Sequence, residues 1–198
     1  ETGAIVDLLH KPAGRQWAAA RNPLGLVRYE VFSKDDYDRY LRQYAVNLDN
    51  PGIAGWAIPD LSKPGMEKAV AEHQVWTPKL RQVHVRRGED AVDLVAELVM
   101  PAKAVEDFGC PARLVVELTA PDAAPELRLK LQWFGKDASR VTEAIWLSFA
   151  PVCPKPEMWR LNKMGQSISP LEVVRKGNRR LHGIESGVSY DDQERQLA

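Results

Sequence analysis

Apolar and polar residues alternate with a period of two along much of the chain after residue 75, and this pattern predicts β-strands. Turn residues such as Gly, Pro and Asp separate the alternating segments. Strands at this spacing, with hardly any helix between them, predict a mainly β, antiparallel sandwich. The predicted strands are 24–32, 79–86, 92–100, 114–119, 127–134 and 144–149, and the last two are predicted to form a hairpin.

One segment has a helical period instead. Ser33 is a suitable N-cap, and Asp36 three residues later completes a capping-box pattern. Together with the apolar stripe that follows, this predicts a helix over 33–45 whose stripe packs on a core, although a tyrosine stripe can also line a sugar site. The stripe consists of Tyr37, Tyr40, Leu41 and Tyr44.

The remaining segments complete the predicted domain plan. Residues 47–64 are rich in Pro, Gly, Asn and Asp and predict an irregular loop, and Pro64 predicts the start of a short helix. The polar tail 189–198 is expected to fray. Residues 1–198 are predicted to form a single β-sandwich domain with one or two short helices. The chain opens like the middle of a domain, so we expect it to be a fragment of a longer one.

Charge and cysteine content narrow the function classes. Lys plus Arg and Asp plus Glu number 27 each, so there is no electrostatic footprint for nucleic acid or an anionic membrane. The apolar runs are much shorter than the ~20 residues that a membrane helix needs. Without a CxxC motif or paired histidines, neither a metal nor another cofactor is expected. Pairing of Cys110 with Cys153 stays open, and the compartment is not indicated.

Two groups of residues are candidates for ligand binding near the end of the predicted hairpin. Arg140 and Glu143, three positions apart, are able to bind a sugar hydroxyl, but an intramolecular ion pair that fixes the turn is the favoured interpretation. Trp133 and Trp146 occupy strand positions, which favours packing over sugar stacking.

A further candidate pair lies near the end of the chain. His182 and Glu185 are three positions apart in a Gly-containing segment that follows Arg179 and Arg180. A His and a Glu within hydrogen-bond reach can act as an acid/base pair. On a strand they would point to opposite faces, so a loop is needed to bring them together. Contact with a ligand or a neighbouring domain is favoured over catalysis.

Several of these segments carry a family resemblance. Residues 133–149 resemble the pattern W-x-x-K-x-A-x-R-x-x-E-A-x-x-x-x-F of family 38 glycoside hydrolases, the α-mannosidase type. Residues 2–8 are similar to the strand that begins the β-sandwich region of that family. Residues 178–190 and 32–44 resemble a related bacterial and fungal group of unknown function, in which a sandwich follows an α-mannosidase-like barrel.

The resemblance implies a galactose-mutarotase-like supersandwich. In the family, the metal ligands and the nucleophilic Asp lie in an N-terminal barrel, and no motif of this chain matches them. The expected function is therefore a non-catalytic module of a glycoside-hydrolase-like protein. Its expected partners are the catalytic domain of the parent chain and carbohydrate, with no nucleic acid and no membrane. Two alternatives stay open: a stand-alone carbohydrate-active enzyme of epimerase or lyase type using His182, Glu185 and an arginine, and a purely structural or interaction domain.

Overall fold

The computed structural model describes residues 1–63, 65–175, 177, 179, 181–193 and 196–197. Helices in these residues are α1 (Lys34–Tyr44), α2 (Pro51–Leu61), α3 (Met66–Ala69) and α4 (Ala102–Phe108). The strands are β1 (Leu8–His10), β2 (Arg15–Ala18), β3 (Leu24–Val31), β4 (Gln74–Trp76), β5 (Lys79–Arg87), β6 (Ala91–Val99), β7 (Arg113–Pro121), β8 (Arg128–Phe134), β9 (Glu143–Phe149), β10 (Trp159–Lys163), β11 (Gln166–Ile168), β12 (Val188–Asp191) and β13 (Gln196–Leu197).

The mainly β, antiparallel prediction is confirmed. Strands hold 39% of the residues and helices 20%. Every strand pairing is antiparallel. No helix in the described part of the chain combines the length and the apolar content that crossing a membrane would require.

Contacts within the chain divide it into two compact units. The first unit comprises Glu1–Ile5 and Pro23–Phe149. It contains a three-stranded sheet of order β4-β3-β9 and a four-stranded sheet of order β5-β6-β7-β8. One core joins the inner faces of both sheets, because Val27, Tyr29 and Val31 of β3 cluster with buried residues of β6, β7 and α4.

The second unit comprises Val6–Asn22 and the described residues from Ala150 onward. It holds the β1-β2 pair and a four-stranded sheet of order β11-β10-β12-β13. Tyr190 of β12 is buried, its ring lies 5.2 Å from that of Trp159, and its hydroxyl donates to Asp192 at 2.7 Å. The prediction that 189–198 frays is therefore wrong for β12 and β13. The buried Tyr190 anchors β12, and β13 in turn pairs with β12.

The predicted hairpin of 127–149 is also wrong. Both strands exist where the alternation placed them, but β8 pairs with β7 in the four-stranded sheet, whereas β9 pairs with β3 in the three-stranded sheet. Residues 135–142 thus form a crossover between the two layers of the sandwich. Alternation reports which side chains face a core, and two strands in opposite layers satisfy it as well as two neighbours.

The helices confirm one prediction and correct two. Ser33 and Asp36 form the predicted capping box at the start of α1. The predicted apolar stripe of α1, however, packs only in part: Tyr37 and Leu41 are half-buried, whereas Tyr40 and Tyr44 lie against each other with ring centroids 4.7 Å apart and stay exposed. The predicted loop over 47–64 is wrong for Pro51–Leu61, which forms α2, because Asn50 caps its first turn and Pro51 suits its first position.

Candidate functional site

The outer face of the three-stranded sheet carries a cluster of polar and aromatic side chains. Val27, Tyr29 and Val31 of β3 are buried, so Arg28 and Glu30 between them point away from the core. Trp146 of β9 lies directly opposite Arg28 in the register, on the same face. With two residues from neighbouring segments these form the outer-face cluster, which we define as Arg28, Glu30, Asp36, His73 and Trp146.

Polar contacts link four of these side chains one after the other, and we call this series the hydrogen-bonded chain. The indole Nε1–H of Trp146 donates to Glu30 Oε2. The other Glu30 oxygen lies 3.2 Å from Nε2 of His73, and Nδ1 of His73 lies 3.0 Å from Asp36 Oδ2. A carboxylate only accepts hydrogen bonds, so both contacts of His73 are hydrogen bonds when the ring carries both protons. The cluster thus links strands β3 and β9 to the first turn of α1.

Asp36 is the buried end of this chain, 9% exposed. It also accepts from the Ser33 amide at 2.9 Å and pairs with Arg39. Burial opposes ionisation, but the hydrogen bonds from the Ser33 amide, from His73 and from the Ser33 hydroxyl outweigh it and hold the pKa of Asp36 below its usual range. Asp36 is therefore an anchor that stays charged, and it positions His73.

The opposite end of the chain is open to solvent. Trp146 is 40% exposed, and Arg28 beside it is exposed as well. Arg28 donates to the Ser148 hydroxyl at 3.3 Å, and no described residue forms an ion pair with it. An indole ring fixed by a carboxylate and flanked by a guanidinium offers an apolar face and charged hydrogen-bonding groups at one place. The surface is open rather than enclosed, which suits binding better than catalysis.

Glu143, a predicted site residue, lies on the inner face of the same sheet. It accepts from the buried hydroxyl of Tyr29, and Lys136 Nζ lies 2.7 Å from its Oε1. Burial, the hydrogen bond to Glu143 and the negative charge of Glu143 raise the pKa of Tyr29 well above its usual range. Arg140 is exposed in the crossover and forms no ion pair with Glu143, so Lys136 has the role that the spacing suggested for Arg140.

The other predicted site residues lie elsewhere. Trp133 stands at the end of β8, 53% exposed and opposite Leu114. Glu185 belongs to the second unit, where its carboxylate accepts the Gly165 amide at 3.0 Å at the turn between β10 and β11. No hydrogen bond joins His182 to Glu185 in the part of the chain that the structure describes. Arg180, one of the basic residues before this pair, lies outside the described residues.

The described residues also include two cysteines and several possible metal ligands. Cys110 and Cys153 do not form a disulfide with each other. Burial and the nearby Glu143 raise the pKa of Cys110 to about 12, which keeps it an unreactive thiol. No three His, Cys, Asp or Glu side chains in the described part of the chain come together as a metal site would require.

The sequence pattern indicated Trp146 as a candidate but did not indicate Arg28, Glu30 and His73, which belong to the same outer-face cluster. A signal was present for two of them. Arg28 and Glu30 alternate with Val27, Tyr29 and Val31, so one face of an otherwise apolar strand carries two opposite charges. His73 gave no such signal, because it lies in the loop between α3 and β4, and only the fold brings it to Glu30.

Comparison with known proteins gives one finding. A family model described as a domain of unknown function (DUF5054) matches residues 1–128. Neither the curated proteins nor the solved structures contain a match to this chain. The matched segment includes four members of the outer-face cluster, and it ends before Trp146.

Proposed function

Given that the chain belongs to the DUF5054 family, we propose that it is a non-catalytic β-sandwich module of a glycoside-hydrolase-like protein of the α-mannosidase type, and that it contributes to carbohydrate binding. The observation that carries the binding role is the exposed Trp146, whose indole N–H is held by Glu30 and whose neighbour across the strands is Arg28. The resemblance of residues 133–149 to the family 38 pattern supports the parent class.

The chemistry of the outer-face cluster fits a sugar. A pyranose ring presents C–H groups on one face, which pack on an exposed indole, and hydroxyls at its rim, which bond to charged side chains. Glu30 fixes the ring plane of Trp146, so less side-chain entropy is lost when a ligand binds. Arg28 offers guanidinium donors that no described ion pair occupies.

The non-catalytic part of the proposal rests on the separation of the candidate acid and base groups. Glu143 is engaged by Tyr29 and Lys136 inside the first unit, and Glu185 accepts a backbone amide in the second. Neither forms a hydrogen bond to a histidine among the described residues, so the His–Glu pair that the epimerase or lyase alternative requires is not assembled. The galactose-mutarotase-like supersandwich and support of an N-terminal catalytic barrel in the parent chain belong to the same proposal.

Calorimetric titration with mannose-containing oligosaccharides, together with a glycan array, tests the binding role. We expect the wild type to bind and Trp146→Ala to lose the heat of binding, because the stacking platform is removed. Trp133→Ala is the matched control, since it removes a tryptophan of the other sheet that is even more exposed than Trp146, and it should bind as the wild type does. Absence of heat and of array signal with every glycan would overturn the proposal and favour a purely structural or interaction domain.

A further inference from the structure

Strand β5 forms one edge of the four-stranded sheet and is open along most of its length. All nine of its residues are exposed. It pairs with β6 on one side, and no described strand pairs with the other. On that open side the amide of Leu80 donates to the carbonyl of Glu1 at 2.8 Å, and among the described residues only this beginning of the edge has a main-chain partner. Unpaired amides and carbonyls of such an edge are a template for another strand.

The two faces of β5 differ in chemistry. Val83 lies opposite Ala96 and Val85 opposite Leu94, so these valines are on the core side of the sheet. Nevertheless, Leu80, Val83 and Val85 are 37%, 42% and 65% exposed. The other face carries basic groups such as His84 and Arg86, opposite Val95 and Asp93. An incoming strand would therefore meet mainly apolar side chains on the core side, where Arg87 opposite Val92 is the exception, and basic ones on the other side.

Strand β6 shows what kind of neighbour β5 accepts. Its core side is apolar, and its outer side carries two acids, Asp93 and Glu97, among apolar residues. Both acids pair with arginines of β5. Arg86 Nη2 lies 2.7 Å from Asp93, and Arg81 Nη1 lies 3.3 Å from Glu97. The pairing of β5 with β6 is thus an internal example of complementarity between a basic strand and an acidic one.

A second copy of β5 is a poor occupant of the open edge. The strand contains Lys79, Arg81, His84, Arg86 and Arg87 and no acidic residue. Two copies side by side would place like charges opposite each other, which destabilises cross-strand pairs. Basic residues on an edge deter such self-pairing, and the same charges attract an acidic strand.

We propose that the open edge of β5 binds an extended polypeptide segment in which apolar and acidic side chains alternate. Main-chain hydrogen bonds to the edge supply affinity, and the alternating side chains supply specificity. The apolar side chains of the segment cover Leu80, Val83 and Val85, and its acids face the basic side of the strand. This inference does not depend on the proposed carbohydrate binding.

A peptide with the sequence of β6, AVDLVAELV, extended by a fluorescent polar tail, is the probe. The control peptide replaces its Asp and Glu by Lys and keeps the apolar positions. Titration of the whole chain, followed by fluorescence anisotropy, should give saturable binding of the acidic peptide alone, weakened by added salt. Amide hydrogen exchange should show new protection in β5 and none in β8.

Paired variants locate the site. Arg81→Gln with Arg86→Gln removes two ion-paired cations from β5, and Arg128→Gln with Lys130→Gln removes two ion-paired cations from β8, the opposite edge of the sheet. We expect the β5 variant to bind the acidic peptide roughly tenfold more weakly and the β8 variant to bind as the wild type does. If the β5 variant unfolds, the exchange protection in the wild type decides alone.

Three results would overturn the proposal. The first is no binding of either peptide, and the second is equal binding of both. The third is self-association of the wild type that occupies the β5 amides without any peptide, since the occupant would then be a second copy.

Discussion

Glu30 and Glu143 are two carboxylates on adjacent strands of one sheet, each holding an aromatic hydrogen-bond donor. Glu143 accepts from the hydroxyl of Tyr29 on the inner face, and Glu30 accepts from the indole of Trp146 on the outer face. Lys136 neutralises the first, and His73 lies beside the second. The same chemical pair therefore occurs twice, back to back across the sheet.

The difference between the two pairs lies in what surrounds them. Tyr29 is buried, so the inner pair can act only on stability, whereas Trp146 is partly exposed and leaves a ring face available to a ligand. The residue types in such a pair of a carboxylate and an aromatic donor do not decide whether the carboxylate belongs to a ligand-binding site. The side of the sheet to which it points does. Four substitutions test this contrast.

The largest effect is expected for Glu143→Ala. It leaves the Tyr29 hydroxyl without its carboxylate and Lys136 without its counter-ion, which should lower the free energy of unfolding by about 2 kcal/mol in urea denaturation. Arg140→Ala is the control and should change it by less than about 0.5 kcal/mol. Equal losses for both would mean that Arg140, and not Lys136, supports Glu143.

The second largest effect is expected for Asp36→Ala, which should lower the free energy of unfolding by about 1.5 kcal/mol, because it removes the capping box and the anchor of His73. The pKa of Asp36 is lowered in the folded chain, so its contribution is present above the unfolded value of about 4 and is lost as the pH falls through the folded value. The unfolding free energy of the wild type should therefore fall more steeply below about pH 4 than that of the variant. Asp35→Ala, in the same turn but exposed, should keep the wild-type slope.

Tyr29→Phe is expected to cost about 1 kcal/mol, because it removes one buried hydroxyl and leaves the ring packing intact. The pKa of Tyr29 is raised in the folded chain, so its contribution is present below the unfolded value of about 10 and decreases at higher pH. Denaturation at pH 9 and pH 11 should show a smaller loss of stability for the variant than for the wild type. An identical loss of unfolding free energy in both proteins would mean that Tyr29 does not contribute to the loss of stability at alkaline pH.

The smallest change in stability is expected for Glu30→Ala, less than about 0.5 kcal/mol, because its partners are partly exposed. Its effect should instead appear in the glycan titration, where loss of the group that orients Trp146 weakens binding. A stability loss as large as that of Glu143→Ala would remove the contrast between the two faces.

Local patterns in the sequence predicted the strands of the first unit well. The period of two located β3 and β5 to β9 within a few residues, and Ser33 with Asp36 located the start of α1. The sequence pattern did not predict which strands pair with each other, because the alternation in β8 and β9 fits neighbouring strands and strands of opposite sheets equally well. The start of α2 was readable from Asn50 and Pro51, but the Gly and Pro content of the segment suggested a loop.

The candidate site was less predictable for the same physical reason. Its members come from strands β3 and β9, from α1 and from the loop that precedes β4. Spacing along the chain does not show which of them are in contact. The spacing of Arg140 and Glu143 suggested a pair, yet the crossover brings Lys136 to Glu143. Of the cluster, the sequence indicated Trp146 as a possible sugar-stacking residue and Asp36 as part of a helix cap, but nothing in it placed the two together.

The pairing of β3 with β9 has a consequence for synthesis on the ribosome. Glu30 and Trp146 are 116 positions apart, although they are neighbours in the sheet. At about 5–20 residues per second, β3 waits between about 6 and 23 seconds for β9 to be translated. During that interval the inner face of β3 has only the short β4 and the growing four-stranded sheet to shelter it. Nascent chains arrested before residue 143 should therefore be the aggregation-prone species of this protein, and chaperone capture should decline once β9 has left the exit tunnel.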